Sequence, residues 1–180
     1  MARRPPSPFH FFAALPPPPV ADQIATAWQR FGTGEPLRRD KLHLTLIPVA
    51  QSDLPPDRLQ AAMQAAGDLI DLPAFPLTFD RLETWPQRGR QDHPLVLTCD
   101  AACQPAARLS RALRDALPAD LRWPPRPFRP HVTLALGKGF PDPIALPMPI
   151  TWQVRQLTLI QSLRGKGHHI ALMSWPLADR

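Results

Sequence analysis

The tetrad His43-Leu44-Thr45-Leu46 returns 88 positions later as His131-Val132-Thr133-Leu134, each copy inside a short run that alternates apolar and polar residues. Side chains of an extended strand point alternately to opposite faces. His43 and Thr45 therefore share a face, roughly 6.6 Å apart along the strand, while Leu42, Leu44 and Leu46 point into a core. His131 and Thr133 repeat the arrangement, with Val132 and Leu134 behind. The same parity adds Lys41 to the first polar face and Arg129 to the second, so each copy reads cation, gap, His, gap, Thr. Two imidazoles, with hydroxyl donors and cations converging on one cleft, suit acid–base chemistry on a phosphate ester. One His-x-Thr alone reads as a half-exposed polar strand face. The matched pair, with the same cation and the same apolar parity, does not reduce to that.

The elements that carry these strands follow from periodicity. Phe9 to Leu15 reads as an opening strand, and the prolines after it open a helix with Val20, Ile24, Trp28 and Phe31 on one stripe, ended by Gly32 and Gly34. Leu42 to Val49 is the first His strand. Asp53 and Pro55-Pro56 precede a second helix with Leu59, Met63, Ala66 and Ile70 on one face. Phe75, Leu77 and Phe79 alternate as a strand, Gln87 to Asp92 is a polar turn containing Gly89, and Leu95 to Thr98 is its hairpin partner. A helix from about Pro105 to Leu117 carries Leu109, Leu113 and Leu117, and His131 to Leu136 is the second His strand. A proline-rich loop runs to Pro149, followed by strands near Val154 to Gln161 and His169 to Trp175, joined through a hairpin turn at Ser162 to Gly167. This order predicts an α+β fold of two pseudo-symmetric lobes, mostly antiparallel sheet with outer helices. One bilobal domain over residues 1–180 would hold the site in the cleft between lobes.

Composition narrows the function classes. The 180 residues include 26 prolines, yet about a quarter of the chain is Leu, Ile, Val or Phe, above the level below which disorder is the better expectation. Most prolines stand at element boundaries. Lys and Arg exceed Asp and Glu by 21 − 15 = 6, a bias toward polyanions such as nucleic acid, with no Lys/Arg-rich tract that would make a basic arm. Cys99 and Cys103 have no second Cys or His cluster near them, so they read as reduced thiols rather than a zinc site, and no metal or cofactor is expected. Arg3-Arg4 before Phe9 to Leu15 superficially resembles a targeting segment, but the apolar run is short, contains His10 and ends in prolines. No stretch approaches the ~18 to 20 apolar residues of a membrane span, so the expectation is a soluble cytoplasmic protein, a monomer without an implied protein partner.

At this point the chain resembles the 2H phosphoesterase superfamily, named for two His-x-Thr motifs, and most closely its bacterial RNA 2′,3′-cyclic phosphodiesterase branch, also called LigT-like or 2′-5′ RNA ligase. Phe11-Phe12-Ala13-Ala14-Leu15 is similar to the family's opening strand, Leu42 to Leu46 to its first motif, Arg126-Pro-Phe-Arg-Pro-His-Val-Thr-Leu-Ala135 to its second, and Trp175-Pro176-Leu177 to its ending. There are departures: Leu136 lies where the family often carries Arg, His169 where Tyr is common, Lys41 where a small polar residue is common, and Leu95 to Thr98 lacks an often-present Trp.

The resemblance implies opening of a terminal 2′,3′-cyclic phosphate on RNA, or on a nucleotide, to a 2′-phosphomonoester without a metal. The residues alone leave the acid and base roles open; the family assignment makes His43 the acid and His131 the base. By the same resemblance Thr45 and Thr133 donate to the non-bridging phosphate oxygens and Arg129 offsets their charge. Lys41 reads as a solvated strand-end cation or a phosphate contact. Phe11 and Phe128 read either as core or as platforms for a base or ribose. Arg164 and Lys166 read as a solvated turn or as RNA contacts. His10, His93, His168 and His169 lack a Thr two positions on and read as surface or turn residues. Two other readings stand beside the hydrolase: a 2′-5′ RNA ligase acting on tRNA halves, and a non-catalytic RNA or nucleotide binder.

Overall fold

Proline opens every α-helix of the described residues. In α1 (Pro18–Phe31), α2 (Pro56–Asp68) and α3 (Gln104–Ala116) a proline occupies the first or second helical position, where the missing N–H costs no helical hydrogen bond and the fixed φ already suits the helix. The computed structural model describes residues 8–99, 103–163 and 168–179. Arg3, Arg4, Arg164 and Lys166 lie outside them.

The strands are β1 (Phe9–Ala14), β2 (Leu44–Pro48), β3 (Phe75–Thr84), β4 (His93–Thr98), β5 (His131–Gly137), β6 (Ile144–Val154), β7 (Gln156–Leu163) and β8 (His168–Pro176). They form one sheet in the order β6-β3-β4-β5-β2-β1-β7-β8, paired antiparallel throughout. Read outward from the centre, β2-β1-β7-β8 mirrors β5-β4-β3-β6, and this is the two-lobed α+β architecture the periodicity predicted. The two His strands are the innermost pair. They meet through a single register point, Leu44 opposite Val132.

All three helices lie against the sheet face that carries Phe12, Leu44, Leu82, Leu97, Val132 and Trp152, and their apolar stripes close one core that runs under both halves. Val20, Ile24 and Trp28 of α1 and Leu109 and Leu113 of α3 are buried there. Trp175 anchors the chain's end to α2: its indole N–H donates to the Asp68 carboxylate at 2.6 Å, and its ring lies so close to Gly67 that any Cβ there would collide with it. Gly67 is required by that approach, and not by its backbone conformation.

Two expectations about the later strands fail. The proline-rich stretch to Pro149 is strand from Ile144 onward, and the single strand expected near Val154 to Gln161 divides, with Val154 closing β6 and Gln156 opening β7. The prolines are tolerated because β6 is an edge strand, where a missing N–H faces outward, and because its register against β3 slips between Phe79 and Arg81. The strand read at Phe75 to Phe79 also continues to Thr84. Gly89, at φ +75°, turns the chain back into β4.

Candidate active site

The two motifs share a detail beyond their residues. Against β1, Ala13 pairs with Thr45 and Phe12 with Ile47, which leaves Leu46 as an extra residue. Against β4, Val96 pairs with Thr133 and Leu95 with Ala135, leaving Leu134. The fourth residue of each motif is thus a bulge. Beyond it the alternation shifts by one, so Ile47 and Ala135 join the core as well as Leu46 and Leu134. Before it, His43, Thr45, His131 and Thr133 stay half-buried on the face opposite the helices. Antiparallel pairing through Leu44 and Val132 sets Thr45 across from His131 and His43 across from Thr133. The imidazoles are diagonal neighbours, a relation that spans roughly 7–8 Å in a regular ladder.

Each imidazole is aimed by the backbone two residues earlier. His43 Nδ1 lies 2.7 Å from the Lys41 carbonyl oxygen and His131 Nδ1 lies 2.8 Å from that of Arg129. A carbonyl only accepts, so Nδ1 carries the proton in both rings and Nε2 is presented to the cleft. A neutral ring then offers Nε2 as a base, and a protonated one offers Nε2–H as an acid. Either ring is competent for either role.

Burial sets their proton affinity. His43 is pushed down to about 4, first by desolvation, while its hydrogen bond to the Lys41 carbonyl works the other way and the nearby His169, His131 and Lys41 charges add smaller depressions. His131 is also lowered, by desolvation and then by Arg129, against the lift from the Arg129 carbonyl. Both rings are therefore neutral in the free protein at pH 7. His43 resists protonation more strongly than His131.

A signed pH dependence follows. A reaction that needs one protonated and one neutral imidazole loses kcat/KM as pH rises above the higher of the two lowered values. The kcat/KM profile is expected to be a bell lying wholly on the acid side of pH 6.5, with its acid limb near 4, whereas kcat, measured with a phosphate anion bound, peaks at higher pH. Initial rates from pH 4 to 9 check this, and an alkaline limb of kcat/KM at or above pH 7 contradicts it. The unfolded chain takes up the proton that buried His43 refuses, so stability is lost as pH falls from 6.5 to about 4, by on the order of 3 kcal/mol. Short exposure at the acid end avoids that loss.

The other predicted residues divide. Arg129 precedes β5; its guanidinium lies 4.8 Å over the Trp85 ring and 3.4 Å from Glu83, and Trp85 in turn sits 4.2 Å from the His131 ring and donates its indole N–H to Glu83 at 3.1 Å. Lys41 lies not on the strand but at the end of a 3-10 turn, Arg39–Lys41, where its carbonyl orients His43. Phe11 is buried beneath the site with its ring 4.9 Å from His43. Phe128 packs from the loop against the main core.

The reading of His169 as a surface residue is overturned. Its ring stands 5.1 Å from His43 and 5.4 Å from Phe11, edge-on to both. The cause is a bulge in β8: Ile160 pairs with Ala171 and Leu159 with Met173, so Leu172 is extra, and His169 faces the site although Trp175, of the same parity, faces the helices. Trp85 and Glu83 carry no local sequence signal, because only the extension of β3 brings them to His131. Among the described residues no three His, Cys, Asp or Glu side chains gather as a metal site requires. No helix among them is long and apolar enough to cross a membrane.

Known proteins share this overall fold. The family model of the 2′-5′ RNA ligase superfamily matches residues 16–166, a span that includes both motifs. The chain is similar to Escherichia coli LigT complexed with 3′-AMP, at 26% identity and TM-score 0.76 over 96% of this chain and 100% of that one. The same protein complexed with NADP+ matches at 26% identity and TM-score 0.75 over 95% and 99%. A structure described as a phosphoesterase matches at 25% identity and TM-score 0.77 over 97% and 100%. No curated protein sequence matches.

Proposed function

Since the chain belongs to the 2′-5′ RNA ligase superfamily, we propose that it hydrolyses terminal 2′,3′-cyclic phosphates on RNA or nucleotides to 2′-phosphomonoesters, using its two imidazoles as acid and base. The observation that carries this reading is the matched pair of rings, each fixed by a carbonyl so that Nε2 faces one cleft beside a threonine from the opposite motif. Water attacks phosphorus as the bond to the ribose 3′-oxygen breaks. One neutral Nε2 takes the water proton, the other, protonated, delivers its proton to the departing 3′-oxygen, and the rings exchange protons with solvent before the next turnover. Family resemblance assigns the acid to His43 and the base to His131. With His43 so averse to protonation, that assignment relies on the phosphate anion to draw the proton onto it. Thr45 and Thr133 donate to the non-bridging oxygens, and Arg129, held over Trp85, opposes the charge that accumulates there.

The superfamily's name supports a second reading, in which a ribose 5′-hydroxyl replaces water and the product is a 2′-5′ bond. In water, hydrolysis is expected to dominate. The test is EDTA-treated protein incubated with an oligoribonucleotide ending in a 2′,3′-cyclic phosphate, with and without a 5′-hydroxyl acceptor, and the products identified by mass and phosphatase sensitivity. A 2′-phosphate is the expected product. Joining that outpaces hydrolysis would favour the ligase, and an untouched end with wild-type protein would leave only binding.

A further inference from the structure

After Leu44 and Val132 the two central strands part, and the gap between them is not closed by backbone pairing. The Leu46 carbonyl accepts instead from the Ser110 hydroxyl of α3, at 2.7 Å. Behind His131 and Thr45 the gap opens into a cavity of about 750 Å³ between α3 and the Trp123–Arg129 loop. Its lining carries arginines from two directions, Arg111 and Arg114 on α3 and Arg126 and Arg129 on the loop, and no acidic side chain among the described residues. The Arg114 Nε is buried and has no hydrogen-bond partner among the described residues, although an unsatisfied buried charged donor is costly. Two half-exposed indoles, Trp85 and Trp123, also line it, with Trp123 held edge-on by Phe9.

We propose that this cavity is a subsite for an RNA nucleotide neighbouring the reacting phosphate, with its phosphodiester on Arg111 and Arg114 and its base against Trp123. The proposal rests on the reading that the adjoining His43 and His131 site opens a cyclic phosphate. Cations that follow the backbone, with aromatic faces for bases, are the general means of holding single-stranded nucleic acid, and they do not depend on sequence. The cavity shares His131, Arg129 and Trp85 with the site, so a nucleotide there continues directly from the reacting end. The consequence is a preference for oligomers over mononucleotides. The nucleotide belongs either to the strand that carries the cyclic phosphate or to a second strand.

The test compares a cyclic mononucleotide with a tetranucleotide ending in the same cyclic phosphate, for wild type and the Arg111→Ala/Arg114→Gln double variant, with thermal melts to verify folding. Wild type is expected to favour the tetranucleotide by about tenfold in kcat/KM. The variant is expected to lose that preference through KM, with mononucleotide kinetics unchanged and log KM against log salt shallower by about 0.7, as one lost phosphate contact on a single strand predicts. Equal loss on both substrates, or a tetranucleotide preference that the variant retains, overturns the subsite, as does wild type showing neither that preference nor inhibition by a second RNA strand. If neither substrate turns over, the hydrolase reading falls. The subsite is then judged by fluorescence anisotropy of a tetranucleotide 3′-phosphate, where equal binding by wild type and variant overturns it and weaker binding by the variant supports it. A 5′-hydroxyl RNA without a cyclic end, added in trans, separates the sources: inhibition of mononucleotide turnover in wild type but not in the variant places a second strand in the cavity.

Discussion

Replacing His43 or His131 by alanine is expected to lower kcat for cyclic-phosphate opening by about 10² to 10⁴ each, with the double variant little worse than the weaker single. The two rings serve one proton transfer in each direction, so losing either strands the other. Neither ring is deep in the hydrophobic core. Removing the His43 imidazole also removes the group whose protonation is opposed by burial, so that variant should melt at a temperature less sensitive to pH between 4 and 6.5. Single-turnover rates with cyclic-phosphate RNA, alongside melting curves, separate lost chemistry from lost fold. Two alanine variants that turn over as wild type does would remove the central claim.

The same variants assign the roles. An RNA end whose 3′-oxygen is replaced by sulfur expels a thiolate that needs little protonation, so the variant lacking the acid is expected to recover most of its rate on that substrate while the variant lacking the base is not. Recovery by His43→Ala supports the family's assignment. Recovery by His131→Ala would reverse it, in line with the more proton-averse His43.

The second large effect is expected at the threonines. Thr45→Val and Thr133→Val keep shape and strand preference and delete one donor each, and removal of one donor to a developing phosphate charge typically costs about 10² to 10³ in kcat. Serine at either position should restore most of the rate, because the hydroxyl stays on the same face. A loss confined to KM, or an equal loss with serine, would assign these residues to ground-state binding or to packing instead. Measuring kcat and KM for all four variants decides it.

Much of this is legible in the sequence alone. Apolar residues three or four apart located α1, α2 and α3 to within a residue or two at most ends, because helix burial leaves a local, repeating mark. Strand parity put His43 with Thr45 and His131 with Thr133, and the structure retains both pairings on the face away from the helices. The local pattern misled where the tertiary setting decides the outcome. Pro147 and Pro149 looked like loop residues, and their place in β6 depends on that strand being an edge. Lys41 looked like part of the strand face, yet its backbone carbonyl is what orients His43, and any residue type supplies a carbonyl.

The sequence by itself determined which side chains form the proposed reacting set, because residue chemistry and short-range periodicity are local properties of the chain. Only the tertiary structure decided how that set is completed. The bulges at Leu46, Leu134 and Leu172 exist because one strand has one residue more than its neighbour between fixed pairs. They turn His169 toward His43, while the added length of β3 brings Trp85 and Glu83 to His131 and Arg129. Nothing in the local sequence marks such a bulge, since the mismatch is a property of two paired segments, and its energy appears only when both are in register.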